Sequence, residues 1–161
     1  MPEDSAFGAP AVSGGRREGG ASGPRRVLVA IYGTFALAAG ARAGVQLGTK
    51  FAEAPLAYLL SAFAAVVYLV ATVGLARGGR GGRLTALTAI SVELAGVLVV
   101  GTLSLVDRAA FPDATVWSVY GQGYGFVPLV LPVLGLLLLR EQAGDGGEPP
   151  AAVDPRGPAG E

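Results

Sequence analysis

The sequence predicts an all-α polytopic membrane protein, an antiparallel bundle of four transmembrane helices. Three observations carry that expectation. Apolar residues make up 52% of the 161-residue chain and charged residues only 15%, where a soluble domain carries nearer a quarter charged residues. The charges are also segregated: Ala54 to Ala76 contains none, and neither does Ala114 to Leu139. A run of about 20 apolar residues matches a hydrocarbon core about 30 Å thick at about 1.5 Å of rise per residue. Finally, the runs lack the polar stripe that a helix of a soluble bundle would turn to water.

Each element follows in order. Residues 1–25 are rich in Gly, Ser, Ala and Pro. They offer too little apolar surface to fold alone and read as a disordered cytoplasmic tail. The first apolar run begins only after Arg25 and Arg26 and is too long for a signal peptide. The membrane domain spans 26–140, with helices expected at about 27–47, 54–76, 84–106 and 120–139. A short polar turn holding Lys50 and Glu53 joins the first two helices. The glycine–arginine run from Arg77 to Arg83 joins the second and third, since glycine permits any turn there. A longer connection with Phe111, Pro112 and Trp117 leads to the fourth. Short connections make sequential helices antiparallel neighbours. Residues 141–161 form a second disordered cytoplasmic tail, acidic and rich in Pro and Gly.

Orientation comes from the basic residues, of which eleven of twelve are arginine. One side holds Arg16, Arg17, Arg25, Arg26, Arg77, Arg80, Arg83 and Arg140. The other holds Lys50 and Arg108, with Arg42 near its surface. Positive loops stay cytoplasmic, so both termini are expected inside a bacterial plasma membrane. Phe111, Trp117, Tyr120 and Tyr124 are expected at the outer interface, where amphipathic rings favour the headgroup level.

The chain has neither cysteine nor histidine, which excludes disulfides, thiolate nucleophiles, Cys/His zinc sites and histidine acid–base chemistry. Net charge is zero, so electrostatic steering of nucleic acid is not expected. The glycine runs lack the Lys-Ser/Thr of a phosphate loop. Asp107, Arg108 and Asp113 are too sparse for a metal site. No catalytic residue, cofactor site or metal site is therefore expected, and the chain does not read as an enzyme.

Two ionisable residues interrupt the apolar runs. Glu93 lies ten residues from Arg83, about 15 Å deep. It shares a helix face with Ala86, Ala89 and Gly96, whose small side chains let another helix approach, so Glu93 should point into the bundle. As a functional group it is a proton- or cation-binding carboxylate; as a structural one it is a hydrogen-bonded packing residue. Arg42 lies about 24 Å from the inner face, close to the outer interface, where its side chain can snorkel to the headgroups. It can alternatively pair with Glu93 across a depth difference of about 9 Å. Gln46, one turn beyond Arg42, and Tyr58, with Ser61, on the second helix would extend that polar site. Gly40 and Gly44 form a small-xxx-small step, extended by Ala36 and Gly33, on a separate face of the first helix. With Gly96, they are candidate helix-packing positions. Pro128 and Pro132 fall one turn apart, and the deeper proline kinks a helix. Gly121, Gly123 and Gly125 permit unusual backbone angles. The Gly-Tyr-Gly triplet has a superficial likeness to a potassium-channel filter. Gln122 replaces the expected valine, no threonine precedes it, and too few residues follow for an inner helix.

The segments IYGTFALAAGARAGVQL, FAEAPLAYLLSAFAAVVYLVAT, ELAGVLVVGTLSL and FPDATVWSVYGQGYGFVPLVLPVLGLL together resemble an uncharacterised family of small integral membrane proteins from actinobacteria. The similarity spans about 25–140 and neither tail. It implies a four-helix inner-membrane protein and brings no activity, substrate or cofactor. The expected function is that of a non-enzymatic membrane protein acting by helix packing, its partners being the lipid bilayer and another membrane protein or a parallel copy of itself. The alternative is a small transporter with Glu93 as the coupling carboxylate and Arg42, Gln46 and Tyr58 lining the outer access. It is similar to small multidrug-resistance transporters in helix number and in one buried glutamate. In that family, however, the acid sits on the first helix, and here it is on the third. The strong charge bias also disfavours an antiparallel dimer, while parallel association stays open.

Overall fold

Among residues 22–144, which the computed structural model describes, every regular element is helical. Both expected tails lie almost wholly outside those residues. Where they enter, at 22–25 and 141–144, they continue the adjoining helices.

Helix α1, Ser22–Thr49, rises through the first apolar run. A turn follows in which Glu53 N–H donates to the Lys50 carbonyl at 2.8 Å. The Lys50–Glu53 contact at 3.7 Å is the one ion pair among the described residues. Helix α2, Pro55–Arg77, starts with proline in its first turn, where the missing N–H costs nothing. Helix α3 is Gly79–Val106. The glycine–arginine run is thus not a loop as expected, since only Gly78 separates α2 from α3. Its backbone lies at φ 63°, ψ −162°, a region open essentially to glycine alone. Gly74 and Gly82 let the two helix backbones approach closely beside this turn. A Cβ on Gly74 would lie 2.7 Å from the Ala86 nitrogen.

Alanine lines much of the buried helix faces, while many large apolar side chains face outward. The buried faces carry Ala57, Ala64, Ala71 and Ala86, all fully buried, whereas Leu37, Leu59, Val66 and Leu69 are more than half exposed. Such a belt would be a liability in water. In hydrocarbon it is expected, because helix association there rests on close backbone approach rather than on hiding leucines. Helices α1, α2 and α3 are each long and apolar enough to cross a membrane. Threonine hydroxyls on them are satisfied within their own helix: Thr34, Thr72, Thr88 and Thr102 each donate to the carbonyl four residues back. The chain thus has the build of a multi-pass membrane protein.

The fourth segment departs from expectation. Residues 120–139 are not one helix. Ser118–Tyr124 form a short 3-10 segment, and α4, Val127–Gly144, follows at an angle of 99°; counted together, the pair makes a fourth segment able to cross. After α3 the chain dips back into the molecule. A Cβ on Gly96 would overlap the Trp117 ring, and Gly96 is ten residues, or about 15 Å, from the end of α3. Trp117 is therefore not an interfacial residue: it is 1% exposed, in the core.

Three successive residues, Val119, Tyr120 and Gly121, adopt left-handed angles. Only glycine does so without cost, and a β-branched valine there is a genuine outlier. The surroundings hold the turn in place. Val119 N–H donates to Ser104 Oγ at 2.8 Å, Thr115 N–H to Ser118 Oγ at 2.9 Å, and Trp117 N–H to Thr115 Oγ1 at 3.0 Å. Phe126 N–H closes the turn on the Gly121 carbonyl. Irregular backbone persists at such depth where protein groups satisfy it. Pro128 sits in the first turn of α4 against Gly121. Pro132 lies inside α4 and deprives the Pro128 carbonyl of its helical donor.

Candidate functional site

Glu93 lies where α1, α3 and α4 meet. Its side chain is fully buried, and its Oε2 accepts a hydrogen bond from the Tyr32 hydroxyl of α1 at 2.7 Å. Oε1 is buried with no hydrogen-bond partner. Gly135 of α4 makes the space: a Cβ there would stand 3.0 Å from Ile90 and 3.7 Å from the Tyr32 hydroxyl. The face of α3 expected to turn inward does so, with Ala86, Ala89 and Glu93 buried and Gly96 half-buried.

A second polar pair lies beside the first. Trp117 Nε1 donates to the Tyr68 hydroxyl of α2 at 3.0 Å. The Tyr32 and Tyr68 rings are tilted with centroids 6.2 Å apart, and Phe35 meets Tyr68 edge-on at 5.8 Å. Four segments of chain thus place one carboxyl, two phenols and an indole in a shared aromatic core.

Arg42 does not pair with Glu93. Its Nη1 donates to the Tyr124 hydroxyl at 3.0 Å and its Nη2 to the Ala114 carbonyl at 3.1 Å. The reason is reach: the inserted connection brings acceptors to the guanidinium's own level, while Glu93 sits deeper and is taken by Tyr32. Tyr58 likewise serves the connection, donating to Asp113 Oδ2 at 2.5 Å. Gln46 is half-buried with its carbonyl oxygen unpartnered. The expected Glu93–Arg42–Gln46–Tyr58 patch is therefore divided. Glu93 belongs to the core, and Arg42 and Tyr58 clamp the connection from either side. Ser61 bonds within its own helix, to the Ala57 carbonyl.

The packing glycines also separate. Gly40 faces α2, where a Cβ would meet Ala65 at 4.0 Å. Nothing lies within 4 Å of a Cβ on Gly44, so it makes no close helix contact among the described residues. Gly96 accommodates the Trp117 ring rather than a helix.

Tyr32, Tyr68, Asp113 and Tyr124 are the polar partners that sequence reasoning missed. A signal existed for two of them. Tyr32 is seven residues from Arg25 and Tyr68 nine from Arg77, too deep for the headgroup level, and a buried phenol requires a hydrogen-bond partner. No group of three or more metal-ligating acidic side chains occurs among the described residues. Chemically, the site offers one unpartnered carboxyl oxygen in a buried aromatic setting. It can hold a proton or accept one more hydrogen bond. Compared with protein-family models, curated proteins and solved structures, the chain matches none of them.

Proposed function

We propose that this chain is a non-enzymatic integral membrane protein that crosses a bacterial plasma membrane four times with both ends cytoplasmic, and acts by packing against another membrane protein. The resemblance to small actinobacterial membrane proteins agrees with this reading. Its main support is the use of polar groups inside the spans. Tyr32, Tyr68, Trp117, Arg42 and Tyr58 are engaged within the chain, as is one of the two carboxyl oxygens of Glu93. What the spans turn outward is largely apolar. That surface includes a groove of about 420 Å³ between α1 and α2, lined by Gly33, Ala36, Leu37, Gly40 and Ala65. Small residues there suit close approach by a partner's transmembrane helix. The chain has no native cysteine, so Leu37→Cys gives a clean cross-linking probe in native membranes. A discrete adduct at Leu37→Cys that is absent for Leu134→Cys, on α4, is the expected result. Equal or absent adducts at both positions sink the reading.

The transport reading keeps one observation of its own: the unpartnered, buried Glu93 Oε1, since an ionisable group within a span marks ion or proton paths in many transporters. Proteoliposome proton flux that is lost in Glu93→Gln would support it. Flux equal to that of empty vesicles would remove it.

A further inference from the structure

The basic end of the molecule carries Arg25, Arg26, Arg77, Arg80, Arg83 and Arg140. None of them forms an ion pair with a described carboxylate, and Glu141, the one described acid at this end, is exposed. Two of the arginines differ from the rest. Arg25 and Arg83 line a cavity of about 190 Å³ between the start of α1, the α2–α3 turn and the last turns of α4, with Gly78, Gly79, Leu139 and Gln142.

The cavity is shaped by features already described. The Arg25 guanidinium lies over Gly78, so close that a Cβ there would stand 2.5 Å from its Nη1. Arg83 is fixed by Nε and Nη2, both donating to the Leu139 carbonyl, at 3.2 and 2.9 Å. Its Nη1 is left to point elsewhere, and Arg25 makes no hydrogen bond within the described residues. Helix α3 begins at this point, and its first N–H groups have no intrahelical acceptor. One fixed and one unengaged guanidinium around a small concavity at the end of a span match a phosphate group in charge and in donor type. Basic pockets between helices at the cytoplasmic face take lipid headgroups in this way.

We propose that this cavity binds a phosphate-bearing anion, with Arg25 and Arg83 as its ligands and the headgroup of an anionic phospholipid as the principal source. The site rests on the membrane-spanning reading but not on the partner or transport proposals, and it stands if both of those fail.

The test uses the full-length protein in nanodiscs of phosphatidylcholine with a minor share of phosphatidylglycerol, and native mass spectrometry of the lipids that stay bound. Retention of phosphatidylglycerol over phosphatidylcholine is expected, falling about fivefold in Arg25→Gln, since one arginine near a charged surface contributes about that factor. It should stay unchanged in Arg80→Gln, which removes a charge from the same end outside the cavity. Arg25→Lys should lie between the two. If inorganic phosphate stabilises the protein in pure phosphatidylcholine nanodiscs and Arg25→Gln abolishes that effect, the site stands and its source is a soluble phosphate. Equal losses in Arg25→Gln and Arg80→Gln would mean a general surface charge and overturn the site. So would the absence of any preference for either anion.

Discussion

The α2–α3 hairpin and the broken segment from Asp107 through α4 draw on similar apolar sequence and solve the same problem in opposite ways. The hairpin satisfies its backbone internally, and two glycines bring its helices together around a one-residue turn. The broken segment leaves the helical pattern for several residues and takes its hydrogen bonds from Ser104, Thr115 and Ser118. The difference teaches that apolarity reports where a segment lies and not how its backbone is paired. A regular helix needs no neighbour to be satisfied; an irregular one does.

That contrast can be broken first at the hairpin. Gly74→Val should be the most damaging of the substitutions considered, by about 3 kcal/mol or more, because the added atoms meet the Ala86 backbone, which has no room to retreat. Gly96→Val should follow at about 2–3 kcal/mol, since its obstacle is the Trp117 ring, a side chain able to swing away. Trp117 is the single tryptophan, so denaturation in detergent followed by its emission separates the two variants. Gly96→Val should red-shift the native signal. Gly74→Val should lower the midpoint and leave the native emission of the surviving fold unchanged. A blue-shifted, unperturbed Gly96→Val would contradict the insertion of Trp117.

Ser104→Ala sharpens the same point from the polar side. It strands the part-buried Val119 N–H, at a cost of about 1 kcal/mol, the low end for an unpaired donor. Hydrogen exchange should accelerate at Val119 and its neighbours before it does anywhere in α2 or α3. Tyr32→Phe should cost about 1–2 kcal/mol by leaving both oxygens of Glu93 unpartnered, and more than Glu93→Gln, which keeps an acceptor for the phenol. If Glu93→Gln is the costlier of the two by thermal unfolding, the carboxyl has a partner beyond Tyr32. At the small end, Thr88→Val removes only a bond within its own helix and should stay within about 0.5 kcal/mol.

Of the candidate site, the inward-facing carboxyl was legible in advance, and most of its partners were not. The inward turn of Glu93 followed from its small neighbours Ala86 and Ala89, because one-face periodicity is a local property. The Arg42–Glu93 pair was an inference from depth alone, and depth does not name competitors. Tyr124 and the Ala114 carbonyl lie in a connection whose path no periodicity announces. Trp117 was assigned to the interface from its chemistry, which fits equally well a buried ring with one hydrogen bond to a distant phenol.

By itself, the sequence determined that long apolar segments alternate with charged ends and that arginine gathers at one of those ends. Both are sums over neighbouring residues, since transfer into hydrocarbon is close to additive along a run. Only the tertiary structure decided that the last segment breaks, that Trp117 turns inward against Gly96, and that Arg25 and Arg83 border one cavity. Each of these depends on groups far apart in the chain, Ser104 with Val119, Tyr68 with Trp117 and Arg83 with Leu139. A pairwise bond across the fold leaves no trace in the composition of either segment.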